Sequence, residues 1–490
     1  MLSKEYLKAD RSESWREELR KTLKNKDRIQ LTRVVMSSVD PQVRSQNYQE
    51  VNLGLTAEQA VAEAKRCLDC VNPTCISGCP VEINIPKFIK NIERGEFLEA
   101  AKILKETNAL PAVCGRVCPQ EKQCENTCFY VQKLNKPAVA IGHLERFAAD
   151  YERESGNINI PEIEPANGIQ VAVIGSGPAG LAFAGDMVKK GFDVTVYEAL
   201  HELGGVLRYG IPEFRLPNNI VHTEIDVLAK MGVKFITNCI IGKTISHEDL
   251  LEMGFKGIFV GSGAGLPHFM HIPGENLNGV MSCNEYLTRV NLMDAANPES
   301  ETPVWRGKNV AVIGGGNTAM DAVRTARRLG AERAMIVYRR SEEEMPARLE
   351  ELHHAKEEGI EFFNLHNPLQ YEGNEKGCVQ RMLLQRMELG EPDASGRRRP
   401  SPIEGDTVWM DVDQVIVSVG VSPNPLIPST FKGLEITKWG TIVVDCDTMQ
   451  SAQQEIYAGG DIVRGGATVI LAMGDGRKAA KAMGDALIEK

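Results

Sequence analysis

The fold is decided by residues 171–199, VAVIGSGPAGLAFAGDMVKKGFDVTVYEA, in which an apolar run leads through a glycine-rich turn into a helical segment and a second apolar run. This order predicts a strand, a turn, a helix and a second strand. The pattern returns at residues 310–340, VAVIGGGNTAMDAVRTARRLGAERAMIVYRR. Two such copies predict two related α/β units, each of which binds one mononucleotide.

The turn of the first copy has the spacing G-x-G-x-x-G, with Gly175, Gly177 and Gly180. Glycines here let the backbone approach a pyrophosphate, and the helix N-terminus directs free N–H groups at its charge. Glu198 ends the following strand, where a carboxylate accepts hydrogen bonds from a ribose and repels a 2′-phosphate. The first copy is therefore predicted to hold an adenosine without a 2′-phosphate, with a glycine-rich turn of an unrelated α/β protein as the alternative.

Glycines outside this copy favour FAD as the dinucleotide. Gly204-Gly205 follows the copy, and Gly459-Gly460-Asp461 comes late in the chain. The arrangement resembles that of the two-dinucleotide-binding flavoproteins, in which a late Gly-Asp places its carboxylate beside the flavin ribityl chain and pyrophosphate. The predicted FAD site consists of Gly175, Gly177, Pro178, Ala179, Gly180, Glu198, Gly204, Gly205, Arg208, Gly460 and Asp461.

The second copy ends its second strand on Arg339 and Arg340, where the first copy has an acid. Guanidinium groups pair bidentately with phosphate, so this difference favours NADPH over NADH. An exposed arginine turn that serves the acidic residues 342–344 is the alternative, and Arg324, on the helix after the turn, is expected to be solvated. The predicted NADPH site consists of Gly314, Gly315, Gly316, Asn317, Thr318, Arg339, Arg340 and Arg348.

Eight of the twelve cysteines lie between Cys67 and Cys128. In a reducing compartment, such a concentration indicates metal or redox chemistry more than disulfide bonds. The first group has the spacing C-x2-C-x4-C-x3-C-P, and the second begins at Cys114 and continues with Cys118 before a proline. Closely spaced thiolates in turns favour iron–sulfur clusters. Structural zinc, which prefers paired C-x2-C knuckles, is the alternative.

The composition is that of an ordinary globular protein, with 490 residues, 42% hydrophobic and 25% charged. A net charge of −10 argues against a nucleic-acid partner. The N-terminus lacks the apolar segment of a signal peptide, and no apolar run is long enough to span a bilayer. We therefore predict a cytoplasmic protein without a membrane partner.

Three domains follow from these features. A helix capped by Thr56 and Gln59 leads into the first cysteines, and a polar, proline-containing stretch at residues 154–168 indicates a linker. We predict a helical domain with the cysteines at residues 1–165. Two Rossmann-like α/β domains follow it: an FAD-binding domain at 166–290 and 445–490, and an NADPH-binding domain inserted into it at 291–444.

Several stretches of the sequence match one known family, among them CGRVCPQEKQCE at 114–125, GGVLRYGIPEFRLP at 204–217, GAGLPHFMHIPGENLNGV at 263–280, YRRSEEEMPAR at 338–348 and YAGGDIVRGGATVILAMGDGRKAA at 457–480. On these words the chain resembles the family of the small (β) subunit of NADPH-dependent glutamate synthase. The same family includes the large subunit of NADH-dependent reduced ferredoxin:NADP oxidoreductase, sulfide dehydrogenase and the N-terminal half of dihydropyrimidine dehydrogenase. The resemblance extends from about residue 35 over nearly the whole chain.

The resemblance implies two 4Fe-4S clusters and a residue set for each. The first cluster is expected on Cys67, Cys70, Cys75 and Glu145, the last from the word HLERF. The second is expected on Cys79, Cys118, Cys124 and Cys128. Cys114 matches a family cysteine that is not a ligand.

The expected activity is hydride transfer from NADPH to FAD, followed by single-electron transfer through the clusters. The sequence has neither a glutaminase nucleophile at its N-terminus nor a visible FMN-binding barrel. Formation of two glutamates from glutamine and 2-oxoglutarate therefore requires a large partner subunit and a hetero-oligomer. Ferredoxin:NADP transhydrogenation with bifurcation and sulfide dehydrogenation use the same electron path and stay open as alternatives. A non-catalytic scaffold with zinc-bound cysteines is the alternative of another class.

Overall fold

The computed structural model describes residues 3–394 and 396–489. Its helices, in chain order, are α1 Lys4–Arg11, α2 Ser14–Thr22, α3 Asn25–Arg28, α4 Pro41–Arg44, α5 Ala57–Ala64, α6 Thr74–Ser77, α7 Ile85–Glu93, α8 Phe97–Thr107, α9 Pro111–Val117, α10 Phe129–Leu134, α11 Ile141–Ser155, α12 Pro178–Lys189, α13 Val206–Tyr209, α14 Asn218–Lys230, α15 His247–Glu252, α16 Cys283–Leu287, α17 Asn317–Arg328, α18 Leu349–Glu357, α19 Leu426–Thr430, α20 Asp461–Arg464 and α21 Val469–Ile488. None of the described helices combines the length and apolarity needed to cross a membrane.

The strands, in chain order, are β1 Gln170–Ile174, β2 Asp193–Tyr197, β3 Lys234–Ile236, β4 Gly257–Val260, β5 Ala264–Pro267, β6 Val280–Ser282, β7 Asn309–Ile313, β8 Arg333–Tyr338, β9 Glu361–Asn364, β10 His366–Gly373, β11 Val379–Pro392, β12 Arg398–Asp411, β13 Gln414–Val417, β14 Val421–Pro423 and β15 Ile456–Ala458. They form two parallel sheets, an antiparallel three-stranded sheet and a two-stranded ribbon.

The N-terminal domain is helical, as predicted, and contains α1 to α11. The predicted capping box is confirmed: the Thr56 side chain accepts from the Gln59 N–H, and the Gln59 side chain accepts from the Thr56 N–H. Helix α7 is buried along Phe88, Ile89 and Ile92. One apolar core runs from these helices into the first α/β unit, so the two domains are packed as one body.

Both predicted strand–turn–helix–strand segments are confirmed. The first parallel sheet has the order β15-β4-β1-β2-β3, and the second has the order β6-β13-β7-β8-β9. In each sheet the central strand, β1 or β7, leads through the glycine turn into a helix, α12 or α17. This order brings the carboxyl ends of the strands to one edge, where dinucleotides bind in such folds.

The junction between the two units differs from the predicted boundary at residue 290. Strand β6 pairs with β13 of the second sheet, so the chain has left the first unit before residue 280. The ribbon of β5 and β14 makes the crossing between the units. A three-residue edge strand has too short a hydrophobic pattern to be assigned to either sheet from sequence.

A buried network of ion pairs holds the second unit. Glu358 is paired with Arg324 at 2.8 Å, with Arg328 at 2.8 Å and with Arg44, the last residue of α4, at 3.0 Å. Both Arg324 and Arg328 also lie over the ring of Phe214, at 4.7 and 3.8 Å from its centroid. The expectation that Arg324 is solvated is therefore wrong, because its side chain is fully buried among acids and an aromatic ring.

A dinucleotide cavity beside two groups of cysteines

A cavity of about 2310 Å³ lies between the two α/β units, at the carboxyl edges of both sheets. From the first unit it is lined by Gly175 and Glu198, and from the second by Gly314 and Arg339. The two glycine turns thus open into one continuous space. A space that connects both turns can bring the reactive ends of two dinucleotides together.

The first glycine turn is shaped by close backbone approach. Gly175 has φ +99°, and a Cβ there would lie 2.7 Å from the carbonyl oxygen of Gly261. A Cβ on Gly180 would lie 2.0 Å from the carbonyl oxygen of Gly175. Around Gly177, by contrast, a Cβ would meet no atom within 4 Å, so this residue leaves open space at the start of α12. The turn therefore fits a pyrophosphate that occupies this space and faces the helix N-terminus.

The strand-end acid of the first unit is held by the turn itself. Glu198 accepts from the N–H of Ser176 at 2.9 Å, from its hydroxyl at 2.6 Å and from the N–H of Leu200 at 2.9 Å. These bonds fix a carboxylate at the cavity wall, where the prediction places the adenosine ribose. The arrangement fits a ribose diol and disfavours a second phosphate in the same place.

The C-terminal part of the chain closes the first unit's half of the cavity. Gly460 and Asp461 line it, as predicted. Asp461 accepts from the N–H of Ala467 at 3.0 Å, and burial raises the pKa of its carboxyl to about 6. The hydroxyl of Ser262 also lies on this wall, buried and without a hydrogen-bond partner within the described part of the chain. A buried polar atom in this position fits a bound polar ligand.

Three residues of the predicted FAD site lie behind the cavity wall. Gly180 lets α12 approach the turn, and Gly204 has φ +114° in the segment before α13. Arg208 is paired with Glu202 at 3.2 Å. The predicted residues on the wall itself are Gly175, Gly177, Pro178, Ala179, Glu198, Gly205, Gly460 and Asp461.

The second glycine turn repeats the geometry of the first. Gly314 has φ +144°, and a Cβ there would lie 2.3 Å from the carbonyl oxygen of Ser418. The predicted residues that line the cavity at this turn and at the end of β8 are Gly314, Gly315, Gly316, Asn317, Thr318, Arg339 and Arg340.

Arg348 is not part of this wall, and the prediction for it is corrected. Its guanidinium donates to the carbonyl of Arg116 at 2.6 Å, to the Gln120 side chain at 3.0 Å and to Glu350 at 3.0 Å. Arg116 and Gln120 belong to the helical domain, so Arg348 fixes the second unit against that domain. The motif YRRSEEEMPAR could not reveal this contact, because Arg116 and Gln120 lie 232 and 228 residues earlier in the chain.

The structure groups the cysteines by proximity. Burial raises the pKa of the Cys75 thiol, and the nearby Cys67, Cys128 and Cys70 raise it further. The Thr74 hydroxyl donates to the carbonyl of Thr127 at 2.6 Å, which joins the segments that carry Cys75 and Cys128. Cys128 therefore lies with Cys67, Cys70 and Cys75, which we call the outer group because all four are partly exposed.

A second, inner group lies deeper. Burial raises the pKa of Cys124, and Cys79 and Glu145 are among the nearby groups that raise it further. The hydrogen bond with Cys114 and burial raise the pKa of Cys118, and Glu145 and Cys79 are among the nearby groups that raise it further. We call Cys79, Cys118, Cys124 and Glu145 the inner group. Relative to the sequence-based sets, the fourth members, Cys128 and Glu145, are exchanged.

Asn108 and Cys114 lie beside the inner group. The Asn108 side chain donates to Glu145 at 2.8 Å, and burial raises the pKa of the Glu145 carboxyl to about 8. Cys114 lies 3.5 Å from the sulfur of Met473 and 3.7 Å from the Asn108 side-chain oxygen. Among the described residues, no three or more His, Cys, Asp or Glu side chains are arranged to hold a single metal ion. The inner group offers three thiols and a carboxylate, and the outer group offers four thiols. Both donor sets fit an iron–sulfur cluster.

Residues next to the inner group line the dinucleotide cavity. Val117 and Pro119, on either side of Cys118, both line the cavity wall. On the other side, the carbonyl of Pro80, next to Cys79, would lie 2.9 Å from a Cβ on Gly474 of α21. The N-terminal residues Val469 and Ala472 of α21 also line the cavity. These wall residues were not predicted from the sequence, in which the local signal was the proline after Cys79 and after Cys118.

Comparison with known proteins gives the same division of the chain. Residues 44–157 match the family described as dihydropyrimidine dehydrogenase domain II, 4Fe-4S cluster. Residues 169–476 match the pyridine nucleotide-disulphide oxidoreductase family. A solved structure of FprA from Mycobacterium tuberculosis in complex with NADPH superposes with a TM-score of 0.56 at 20% identity, over 66% of this chain and 85% of that one. This likeness confirms the fold of the two α/β units.

Two relatives extend the match to the helical domain. The glutamate synthase [NADPH] small chain of Escherichia coli is 37% identical over 459 residues, which cover 92% of this chain and 96% of the relative. The NADPH-Fe(3+) oxidoreductase subunit beta of Geobacter sulfurreducens is 36% identical over 452 residues, or 87% of this chain and 65% of the relative. The chain therefore belongs to the pyridine nucleotide-disulphide oxidoreductases and, among them, to the family of the glutamate synthase small chain.

Proposed function

We propose that this chain is the NADPH-oxidising subunit of a glutamate synthase and that it delivers electrons to a glutamate-forming large subunit. The observation that carries the proposal is the single cavity, which joins both glycine turns and is bordered by the residues next to Cys118. Bound FAD would supply the conversion of a two-electron hydride into single electrons, the form that iron–sulfur clusters accept.

The residues of the chain act by holding and orienting the two dinucleotides. The space at Gly177 and the backbone N–H groups at the start of α12 suit the FAD pyrophosphate, while Glu198 suits its ribose. The turn at Gly314 and the arginine at the end of β8 suit NADPH. Because hydride transfer between two bound dinucleotides needs no side-chain acid or base, the contribution of the chain is proximity and exclusion of water.

We propose that the inner and outer groups each hold a 4Fe-4S cluster. Cys79, Cys118, Cys124 and Glu145 would hold the one next to the cavity, and Cys67, Cys70, Cys75 and Cys128 the other. The nearness of Val117 and Pro119 to the cavity supports this order, from flavin to inner group to outer group.

The surface around the outer group supports an exit to a partner. Val71 follows Cys70 and is 63% exposed, and Phe129 follows Cys128 and is 40% exposed. Exposed apolar side chains beside partly exposed thiols are typical of a surface that another protein covers. We propose that the large subunit docks here, where electron transfer over a short distance is possible.

Electron transfer from NADPH is tested on the complete chain, purified anaerobically with its cofactors. We expect NADPH to reduce the flavin and then the clusters, and to support reduction of an artificial acceptor. Glutamate should form from glutamine and 2-oxoglutarate only after the large subunit is added. Glutamate formation by the chain alone, or clusters that stay oxidised with NADPH and the large subunit present, would contradict the proposal.

The ligand sets are tested by single substitutions with a matched control. Cys118→Ala should remove about half of the bound iron, whereas Cys114→Ala, a buried cysteine four residues earlier, should retain all of it. In electron paramagnetic resonance, Cys128→Ala should alter the same cluster signal as Cys75→Ala, and Glu145→Ala the same signal as Cys118→Ala. The opposite pairing of signals would restore the sequence-based sets.

A second candidate function rests on the relative from Geobacter sulfurreducens, an NADPH-Fe(3+) oxidoreductase subunit with nearly the same identity. In that case electrons would follow the same path through the cavity and both cysteine groups. The partner subunit would be a different one, and ferric iron would be the final acceptor. The candidates are separated by isolating the chain together with its partner and measuring NADPH oxidation by the complex. Only a glutamate-forming partner makes that oxidation depend on glutamine and 2-oxoglutarate.

A further inference from the structure

A β-hairpin outside both dinucleotide folds reaches the NADPH end of the cavity. Strands β11 and β12 belong to the antiparallel three-stranded sheet, and Arg397 stands immediately before β12. Arg397 lines the cavity together with Arg339 and Arg340 from the end of β8. The structure therefore brings an arginine from outside both dinucleotide folds to the wall that carries the arginines at the end of β8.

The tip of the hairpin is clamped to the loop that follows β8. Arg340 donates to the carboxylate of Asp393 at 2.9 Å and to the carbonyl of Arg398 at 2.8 Å. Arg398 in turn donates to the carboxylate of Glu344 at 2.5 Å. These bonds join the segment after β8 to the hairpin at Asp393 and at Arg398, on either side of Arg397. They therefore fix the backbone position of Arg397 at the cavity.

The acidic residues after β8 have partners other than Arg339 and Arg340. Glu343 and Glu344 are paired with Arg398, at 3.1 and 2.5 Å. Glu342 is paired with Lys356 at 2.6 Å. The alternative in which the two arginines serve this acidic stretch therefore does not describe the structure. The positive charge of Arg339 stays available to a ligand.

The two neighbouring arginines have different environments. Arg340 is buried, and its guanidinium is bound to Asp393 and to the Arg398 carbonyl. Arg339 is exposed, and among the described residues its guanidinium makes no hydrogen bond or ion pair. Arg340 is thus committed to holding the hairpin tip, whereas the exposed guanidinium of Arg339 at the cavity wall can pair with phosphate.

We propose that the 2′-phosphate of NADPH is bound by Arg339 and Arg397, and that Arg340 is a positioning residue that fixes the hairpin tip. This inference rests on the proposed function and deepens it, because it adds a residue from outside the dinucleotide fold to the site that distinguishes NADPH from NADH. His366 and Asn367, at the start of β10, line the same region and complete its polar wall.

The test compares alanine variants of the complete, FAD-loaded chain in dye reduction with NADPH and with NADH. Arg397→Ala and Arg339→Ala should each lower kcat/KM for NADPH about tenfold to a hundredfold through KM, since each removes a charge-assisted hydrogen bond. Turnover with NADH should not change. Arg399→Ala is the matched control, because it removes an exposed arginine of the same run that does not line the cavity.

The positioning role of Arg340 is tested by a measurement that distinguishes it from a general loss of structure. We expect Asp393→Asn, which leaves every arginine in place, to weaken competitive inhibition by 2′,5′-ADP while inhibition by 5′-AMP is unchanged. A purely structural defect would weaken both inhibitors equally and would refute the positioning role.

The outcomes separate this inference from the proposed function. If wild-type chain prefers NADPH and Arg397→Ala keeps the NADPH to NADH ratio of Arg399→Ala, the hairpin has no part in phosphate binding. If wild-type flavin is not reduced by NADPH at all, the proposed function itself fails. A selective loss of NADPH efficiency in Arg397→Ala and Arg339→Ala supports the inference.

Discussion

The two dinucleotide units of this chain have the same turn geometry and different strand ends. Gly175 and Gly314 both have positive φ, and in both a Cβ would meet a backbone carbonyl of the neighbouring strand end. After the second strand, however, one unit has Glu198 and the other has Arg339. The shared turn geometry suits the pyrophosphate common to both ligands, and the proposed selection for a 2′-phosphate starts where the two units differ, at the strand end.

The units also differ in how they are held. The first unit shares an apolar core with the helical domain, and α12 packs against α21 within it. The second unit is fixed by the buried charges around Glu358, which join α17 and the end of α18 to α4 of the helical domain. Hydrophobic packing is non-directional, whereas a charge network depends on every member being paired.

The largest effect is expected at the third glycine of the first turn. Gly180→Ala places a Cβ 2.0 Å from the carbonyl oxygen of Gly175, so the turn and α12 cannot keep their positions. We expect complete loss of bound FAD, measured by visible flavin absorbance per chain, together with loss of folded protein. Gly177→Ala is the matched control, because its Cβ has open space within the protein. That variant should fold normally and lose FAD alone, and normal flavin content in Gly180→Ala would contradict the geometry.

A smaller but still large effect is expected in the charge network. Glu358→Gln removes the carboxylate that Arg324, Arg328 and Arg44 share, and it leaves buried guanidiniums without their counter-charge. Breaking a buried pair costs about 3 to 5 kcal/mol, which would lower the first thermal unfolding midpoint by roughly 6 to 20 °C.

The control for this substitution is Glu361→Gln, which breaks the exposed pair with Arg333 on the same unit. Surface pairs contribute about 1 kcal/mol or less, so the midpoint should hardly move. Circular dichroism under anaerobic conditions measures both midpoints. Equal shifts for the two variants would mean that the network does not hold the second unit.

The smallest of the three effects sharpens the difference between the strand ends. Arg339→Glu gives the second unit the acid of the first, so repulsion replaces attraction at the 2′-phosphate. We expect kcat/KM for NADPH to fall about a hundredfold relative to NADH, with flavin content unchanged. Steady-state kinetics with both nucleotides measures the ratio, and an unaltered preference would show that the strand end does not select the ligand.

Local patterns predicted the parts of the fold whose causes are local. The glycine turns, the strands on either side and the capping box at Thr56 all appear where the sequence indicates them. In each case the residue type acts on the nearby backbone. Glycine leaves space for a close approach or permits a positive φ, and a capping side chain accepts from a free N–H at a helix start. The cysteine spacing likewise indicated two groups of metal ligands, since closely spaced thiols are recognisable without the fold.

Contacts between distant parts of the chain were decided only by the tertiary structure. Arg348 lines the domain junction instead of the NADPH site, Arg324 is buried, and Arg397 comes to the cavity from a hairpin. Nothing within a few residues of these arginines distinguishes one environment from another. Their roles depend on which partner the fold brings within hydrogen-bond distance.

The sequence by itself thus determined that this chain has two dinucleotide turns and a cysteine-rich helical domain. The reason is that a glycine permits close backbone approach, and a cysteine supplies a thiol, at its own position in the chain. The tertiary structure alone decided which thiols and carboxylate stand together, as with Cys128 in the outer group and Glu145 in the inner group. It also decided that Val117 and Pro119, the neighbours of Cys118, line the cavity. The physical reason is that pairing and proximity arise from packing between segments, and no single segment encodes the position of the others.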